Sequence, residues 1–419
     1  GSLPWNELIE DAIYYAESGF LITPFLADIL LRYSESLSIF PETKEIFQSH
    51  YPNFKNKNLI QKDLANTLKI IASEGKKGFY EGEIAEKISK EITKNNGLIS
   101  KSDLKKYNPI WRDPLISNYR DTKVITMGPP SSGGLHVIQM LNILENYDLN
   151  KIGHNSSEYI NLLAEVMKYA YADRSKYLGD PDFYEVPIRK IISKEYANEI
   201  SKNIEIGKLR PAKQIHPGKF MRKESHETTH FSVVDKQGNV VSMTYTLNST
   251  FGSKVVIEGT GILMNNEMDD FSAAPGVPNQ FNLLGAEANE IAPFKRPLSS
   301  MTPTIVLKND ELFFTTGSPG GARIISAVLQ SILNIIDFNM NLEDTTLAKR
   351  IHHQWYPDIL EYEFTLDKKI EDDLKKIGYK TSSKLPLTSL QTIMFADGIY
   401  YGYGDFRRVD ALASGNIYD

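Results

Sequence analysis

The stretch HETTHFSVVDKQGNVVSMTYTLN, residues 226–248, is compatible with two mutually exclusive structures. His226 and His230 follow the H-E-x-x-H pattern of a zinc peptidase helix, which places two imidazoles one helical turn apart around a metal. The runs on either side of Lys-Gln-Gly instead alternate apolar and polar residues, which is typical of a β-hairpin. On a strand the two histidines lie about 13 Å apart, too far to share one ion. The β-branched pair Thr228-Thr229 favours the strand, so a zinc site is the weaker hypothesis.

Thr228 gives the same stretch a different chemistry. If the chain is cut between Glu227 and Thr228, the threonine becomes an N-terminus that carries both a hydroxyl nucleophile and its own general base. That base is an α-amine with a pKa of about 7.7 to 8.0, so a useful fraction is neutral near physiological pH. The cut would follow attack of the Thr228 hydroxyl on the Glu227 carbonyl, giving an ester that water hydrolyses. By spacing alone, however, a threonine pair at a strand start is more often structural.

Composition narrows the class of protein. The 419 residues give a prior of roughly three domains, although α/β proteins of this size also share a single core. A net charge of -6 argues against a nucleic-acid partner, which requires a basic surface. The absence of cysteine excludes disulfides, thiolate zinc sites and a cysteine nucleophile. The most apolar run, residues 19–31, is too short and too polar for a membrane span, and we expect no export signal in the chain.

Periodicity predicts an α/β chain. Residues 1–180 alternate helical patterns with short strands, including a strand pair in PLISNYRDTKVITM (114–127) that runs into PPSSGG and an apolar helix. Residues 181–227 show only a weak pattern, because the segment 211–227 is polar, contains Pro and Gly and has no period, so we expect an exposed linker there. Residues 312–338 predict a strand, a glycine turn and a helix; residues 342–355 predict a helix; and residues 390–404 predict a hairpin with an Asp-Gly turn.

Five blocks then carry a resemblance to a known family. ETTHFSVVD, TYTLNSTFG, GILMNNEMDDFSAAPGVPN, KRPLSSMTPT and TGSPGGARII resemble, in this order, the γ-glutamyltransferases of the N-terminal nucleophile hydrolase superfamily. The likeness continues through PPSSGG, YAYADRSKYLGDPDF and HHQW, so it covers essentially the whole chain. It implies a four-layer αββα sandwich in which a large-subunit part, 1–227, and a small subunit, 228–419, interleave in one domain.

The resemblance also implies catalytic roles. Thr228 matches the nucleophile that forms a γ-glutamyl ester, and Thr246 matches a second threonine that hydrogen-bonds to the nucleophile. Gly320 and Gly321 match the glycines whose amides hold the oxyanion. A glycine turn that opens a helix suits this task, because bare amides and a helix N-terminus favour developing negative charge.

Substrate contacts are implied by the same likeness. Glu267 and Asp270 match acids that hold the α-ammonium of the donor, and Asn248 matches a further polar contact at that end. Ser299 and Ser300 match donors to the α-carboxylate. Residues 274–286 resemble a lid over the bound glutamyl group, where Phe281 stands at a position that often carries tyrosine. Family members also carry a further N-terminal segment with an arginine for the α-carboxylate. We assign that role to no residue of this sequence.

The implied reaction is transfer of a γ-glutamyl group from glutathione or a related compound to water, an amino acid or a peptide, without a cofactor or metal. The implied location is the periplasm or the outside of a bacterial cell. Alternatives on the same scaffold are a poly-γ-glutamate depolymerase or transpeptidase and an acylase for β-lactam side chains. From other classes, the zinc peptidase and a catalytically silent binding protein stay open.

Overall fold

The computed structural model describes residues 1–216, 228–272, 283–386 and 388–416. The helices, in chain order, are α1 (Glu7–Ser18), α2 (Pro24–Arg32), α3 (Ser34–Leu37), α4 (Pro41–Phe47), α5 (Lys62–Glu74), α6 (Lys76–Tyr80), α7 (Gly82–Lys94), α8 (Lys101–Lys106), α9 (Gly133–Leu144), α10 (Leu149–Ile152), α11 (Ser157–Tyr177), α12 (Ile188–Ile191), α13 (Lys194–Ser201), α14 (Arg323–Ile336), α15 (Leu342–Leu347) and α16 (Lys368–Ile377). The strands are β1 (Phe20–Leu21), β2 (Asn58–Leu59), β3 (Leu115–Tyr119), β4 (Thr122–Thr126), β5 (Thr229–Val234), β6 (Val240–Tyr245), β7 (Val256–Ile257), β8 (Ile262–Leu263), β9 (Thr304–Lys308), β10 (Glu311–Gly317), β11 (Ile351–His352), β12 (Leu360–Glu363), β13 (Thr381–Lys384), β14 (Gln391–Ala396) and β15 (Ile399–Gly404).

The chain divides into two compact units, and each draws on residues from both sides of Thr228. One unit contains residues 1–111 and 250–266, and the other contains residues 112–249 and 267–419. The assignment of 1–227 and 228–419 to two subunits stays a prediction, because the cut itself is a covalent event.

The unit built from 1–111 and 250–266 is mainly helical. Its α2 begins at Pro24, because the Thr23 hydroxyl accepts a hydrogen bond from the Leu26 amide at 3.1 Å and proline suits the first turn of a helix. A small core that includes Leu30, Phe47 and Val256 joins these helices to the β7–β8 pair.

The larger unit is organised around a six-stranded sheet in the order β15-β14-β10-β9-β4-β3, and every neighbouring pair in it is antiparallel. The strand pair predicted near residue 120 and the closing hairpin with its Asp397-Gly398 turn are confirmed as the two ends of this sheet. On one face lie α9 and α14, and α11 packs behind α9. Helix α9 is buried along its whole length, which explains why its sequence is apolar on every side.

The β5–β6 hairpin lies on the other face of the sheet. Successive residues of a strand point to opposite faces. Phe314 belongs to the core shared with the helices, whereas Gly317, three positions later, faces the ring of His230 on β5. A Cβ at Gly317 would lie 2.2 Å from that ring, so the two β layers meet through a glycine. The predicted hairpin is confirmed, with Val233 opposite Val241. The α/β class is confirmed, and in the described residues this hairpin represents the second β layer.

Three local expectations were wrong. The segment after residue 180 contains α12 and α13, which anchor on the buried side chains of Ile191 and Ala197. The expected linker is not exposed where it begins, because Ala212 and Ile215 are buried; its remainder, 217–227, lies outside the described residues. Residues 342–355 are not one helix, since α15 ends at Leu347 and β11 follows. In each case packing against distant residues overrides the weak local pattern. Among the described residues, no helix is long and apolar enough to span a membrane.

Candidate active site

Thr228 lies directly before β5, at the open end of the hairpin. The pairing of Thr229 with Tyr245 places Thr228 and Thr246 at the next positions of the two strands, and both line one small cavity. Thr228 is only 8% exposed, and its carbonyl accepts a hydrogen bond from Arg408 Nη2 at 3.0 Å. The Thr246 hydroxyl oxygen accepts the amide of Asn248 at 2.8 Å. Two threonine hydroxyls and a buried asparagine therefore meet at the end of a rigid strand pair.

The glycine turn between β10 and α14 reaches the same cavity. Gly320 and Gly321 have φ angles of 134° and 56°, values that side chains rarely tolerate. Their carbonyls accept the amides of Arg323 and Ile324 at 3.1 Å each. Their own amides donate to no acceptor among the described residues. Gly321 lines the cavity, so this turn offers bare N–H groups at the start of a helix.

An acid pair forms another wall. Glu267 and Asp270 occupy one 3₁₀ turn, and Asp270 lines the cavity. Burial raises the pKa of Glu267, and burial together with the charge of Glu267 raises the pKa of Asp270 well above its usual value. The two carboxyls also hydrogen-bond to each other.

The serine pair lies across the cavity on a segment held by distant parts of the chain. Ser299 and Ser300 line the cavity. The Ser299 amide donates to the Pro130 carbonyl at 2.9 Å, and its carbonyl accepts the amide of Ser132 at 2.8 Å. The Ser300 hydroxyl accepts from Arg174 Nη2 at 3.1 Å. PPSSGG and the YADR block of α11 thus position the SSM block.

The structure brings together most of the residues that the sequence singles out. The residues that line the cavity are Thr228, Thr246, Asn248, Asp270, Ser299, Ser300 and Gly321. Glu267 contacts the lining residue Asp270 through a hydrogen bond, and Gly320 precedes the lining residue Gly321 in the glycine turn. Glu227 of the predicted cleavage site and Phe281 of the predicted lid lie outside the described residues. The individual roles of these residues stay predictions.

The zinc peptidase helix is not present. His230 lies on β5, with its ring nitrogens 2.8 Å from Thr244 Oγ1 and 3.2 Å from Ser232 Oγ. Burial lowers the pKa of His230 to about 4, so the ring is neutral. His226 lies outside the described residues. In the described part of the chain, no group of three or more His, Cys, Asp or Glu side chains could hold a metal ion.

Sequence reasoning missed Arg174, Ser132 and Arg408. Arg174 lines the cavity and hydrogen-bonds to both Ser132 and Ser300, and Arg408 holds the Thr228 carbonyl. The signal for Arg174 was an Asp-Arg pair inside a long helix with apolar neighbours, because a charge buried there must have partners. Arg408 follows the last hairpin, and no local sequence pattern marks it as a residue of the site.

A buried threonine at the start of a strand, a glycine turn with bare amides, and two β layers with helices packed on the larger sheet are the features of an N-terminal nucleophile hydrolase. The family model for gamma-glutamyltranspeptidase matches residues 1–415. The chain belongs to the gamma-glutamyltranspeptidase family, and it is an enzyme.

Relatives and solved structures agree with this assignment. Over 418 residues the chain is 48% identical to the glutathione hydrolase proenzyme of Escherichia coli strain K12, covering 99% of this chain and 72% of that relative. The cephalosporin acylase from Bacillus halodurans superimposes with a TM-score of 0.85 at 26% identity, covering 97% of this chain and 73% of the other. Helicobacter pylori gamma-glutamyltranspeptidase aligns at 44% identity and a TM-score of 0.50 over 51% of this chain and 62% of its own.

Proposed function

We propose that this enzyme takes γ-glutamyl compounds such as glutathione and transfers the γ-glutamyl group to water or to an amino acid or peptide amine. One observation carries the proposal: Thr228 shares its cavity with an acid that suits an ammonium and two serines that suit a carboxylate. These are the two charged groups of a γ-glutamyl donor. Such a donor would lie with its γ-carbonyl between Thr228 and Gly321.

The reaction would proceed through an ester on Thr228. The Thr228 oxygen attacks the γ-carbonyl carbon while the α-amine of the same residue takes the hydroxyl proton. The oxyanion is stabilised by the amides of Gly320 and Gly321. Collapse breaks the C–N bond, the proton passes to the leaving amine, and the ester remains. Water or an acceptor amine then attacks the ester carbon and regenerates the threonine.

The α-amine becomes available only after cleavage of the Glu227-Thr228 bond. The Thr228 oxygen attacks the Glu227 carbonyl, the amide becomes an ester with a free amine, and water hydrolyses the ester. The products are a large part, 1–227, and a small part, 228–419, which we expect to stay associated because both supply strands to the central sheet.

A denaturing gel with N-terminal sequencing tests this step directly. A fragment that begins TTHFSVV is expected from the active enzyme. Thr228→Ala should give one uncut, inactive polypeptide. Thr229→Ala is the matched control, because that side chain is exposed on β5, and it should be cut and active. Turnover of γ-glutamyl amides by an uncut chain would end the proposal.

An acylase function is the second candidate, favoured by the match to the cephalosporin acylase fold over nearly the whole chain. The acid pair argues for a donor with an ammonium group, which a plain glutaryl amide lacks. Comparing turnover of γ-glutamyl and glutaryl amides decides between the two. A preference for the glutaryl amide would favour the acylase, and turnover of poly-γ-glutamate in preference to glutathione would favour a depolymerase.

We also place the enzyme in the periplasm or outside the cell. The 48% identical relative is bacterial, and a chain without cysteine tolerates an oxidising compartment. Fractionation of cells that express the native gene, with activity measured in each fraction, tests the location. Activity confined to the cytoplasm would contradict it.

A further inference from the structure

A buried arginine reaches the cavity from inside the helical layer. Arg174 belongs to α11, and it is 4% exposed. Its Nε donates to Ser132 Oγ at 2.9 Å, and its Nη2 donates to Ser300 Oγ at 3.1 Å. It is also the cation whose charge opposes the raised pKa of Asp270. A guanidinium taken out of water is costly unless it is paired, so this placement points to a task at the site.

The donor pattern of Arg174 fixes the direction of two hydroxyl hydrogens. A guanidinium has five N–H donors and no acceptor, so the Ser132 and Ser300 oxygens both accept. The Ser132 hydroxyl then donates a hydrogen bond to the Ser299 carbonyl at 2.8 Å. The hydrogen of Ser300 points away from the arginine, where a carboxylate in the cavity can accept it. One cation therefore orients the Ser300 hydroxyl directly, and through Ser132 it is linked to the backbone carbonyl of Ser299.

The backbone of the serine segment is held independently of Arg174. Ser131 Oγ donates to the Met301 carbonyl at 2.7 Å, and the Ser132 amide donates to the Ser299 carbonyl at 2.8 Å. A Cβ at Gly133 would lie 2.1 Å from Thr302 Oγ1, so PPSSGG fits directly against this segment. Replacement of Arg174 should thus change hydroxyl orientation and local charge while the loop stays in place.

We propose that Arg174 is a positioning residue for the α-carboxylate of the donor and so a determinant of specificity for that group. It acts by holding the Ser300 hydroxyl as a donor and by adding positive charge behind both serines. The inference rests on the proposed function. It predicts a loss that is larger for donors with the α-carboxylate than for a donor without it.

The test compares three p-nitroanilide donors. The γ-glutamyl donor has both charged groups, the glutaryl donor lacks the ammonium, and the 4-aminobutyryl donor lacks the α-carboxylate. Arg174→Met should lower kcat/KM about 30-fold for the γ-glutamyl and glutaryl donors, mainly through KM, which is the scale of one charge-assisted hydrogen bond. The 4-aminobutyryl donor should stay within about twofold. Inhibition constants of glutamine, glutaramate and 4-aminobutanamide provide the same comparison without turnover.

Two further variants keep the test decisive if Arg174→Met does not fold or is not cut. Arg174→Lys retains a cation without the fork geometry, and it should lose about fivefold on the two carboxylate donors only. Ser132→Ala should lose less on the same two. Arg120→Met is the matched control, since Arg120 pairs with Asp337 and does not line the cavity, and it should change none of the three.

An equal loss on all three donors, or no loss on any, would overturn the role of Arg174. This failure differs from failure of the proposed function. If the unmodified, cleaved enzyme turns over no γ-glutamyl donor at all, the proposed function is wrong; if it does so and the arginine variants show no dependence on the carboxylate, only the positioning role is wrong.

Discussion

The two charged sides of the cavity are prepared in opposite ways. On the acid side, Glu267 and Asp270 are half-buried next to each other, they share a hydrogen bond, and their pKa values are raised. On the serine side, Arg174 donates hydrogen bonds to Ser132 and Ser300. The surroundings of the acid side therefore oppose its ionisation, whereas hydrogen bonds within the protein already orient the serine side. Affinity for the ammonium should therefore be sensitive to pH, and affinity for the carboxylate should not.

The largest effect is expected for Asp270→Asn. This change removes a carboxyl that lines the cavity, so a donor ammonium would lose its counter-charge. We expect kcat/KM for the γ-glutamyl donor to fall about 100-fold, which corresponds to about 2.7 kcal/mol. The glutaryl donor serves as the control, because it has no ammonium and should lose little. An equal loss on both donors would contradict the acid-side assignment.

Glu267→Gln should change both activity and stability, and its effect on activity should be smaller than that of Asp270→Asn. The amide retains a hydrogen-bond acceptor beside Asp270 but removes one of two repelling charges, so kcat/KM for the γ-glutamyl donor should fall about tenfold. The same change should raise the Tm of the unliganded enzyme at neutral pH, because ionisation of two adjacent, half-buried carboxyls destabilises the folded state. Thermal unfolding without glutamate measures the change in stability, and the additional shift in Tm with glutamate measures the change in binding. A lower Tm in the unliganded variant would argue against repulsion within the pair.

The pH dependence gives a third measurement. Because the carboxyl pKa values of the acid pair are raised by folding, the folded enzyme binds protons more tightly than the unfolded chain. The free energy of unfolding of the enzyme without substrate should be highest below about pH 4, where carboxyls are protonated in both states. It should decline as pH rises through the raised pKa values of the folded state. Ionised carboxyls of the acid pair bind the donor ammonium more tightly than protonated ones. The ratio of kcat/KM for the γ-glutamyl donor to kcat/KM for the glutaryl donor should therefore rise about fivefold from about pH 5 to about pH 8. Titration of the Thr228 amine affects both donors equally and cancels in this ratio.

The smallest effect is expected for Ser132→Ala. Arg174 Nε loses its acceptor, and the Ser299 carbonyl keeps only the backbone amide of residue 132. We expect KM for donors with an α-carboxylate to rise about threefold, which lies in the lower part of the range of about 0.5 to 1.5 kcal/mol for one neutral hydrogen bond. Ser131→Ala offers a comparison, since that hydroxyl bonds to Met301 and not to Arg174. A larger rise in KM for Ser131→Ala than for Ser132→Ala would contradict the role of the Arg174–Ser132 hydrogen bond in carboxylate binding.

Local patterns predicted the parts of the site that depend on near neighbours. The alternation in residues 228–246 determines the hairpin, and the GSPGG run determines a strand, a turn and a helix start. Both follow from backbone preferences that act over a few residues. Recognition of the five blocks then supplied the candidate residues around the cavity. The patterns for 181–227 and 342–355 were misleading, because short helices and strands such as α13 and β11 are stabilised by contacts with other parts of the chain.

Arg174 shows what lies beyond the reach of such patterns. It is separated from Ser300 by 126 positions along the chain. In the folded chain most of α11 is buried, including charged residues such as Glu165 and Lys168, which pair at 2.6 Å. Whether a charged side chain in a helix faces water or a cavity depends on what packs around it, and no helical period contains that information.

The sequence by itself determined a hydroxyl-nucleophile enzyme of this family: it has no cysteine, it places a threonine at the start of a strand, and it carries the glycine turn and the acid and serine blocks. The tertiary structure alone decided how these blocks are charged and oriented. It placed two half-buried carboxyls side by side, which raises their pKa values, and it brought one arginine within hydrogen-bonding distance of two serines. Burial and hydrogen-bond direction arise only when distant segments meet, because desolvation and donor geometry are properties of the assembled surroundings and not of the residue type.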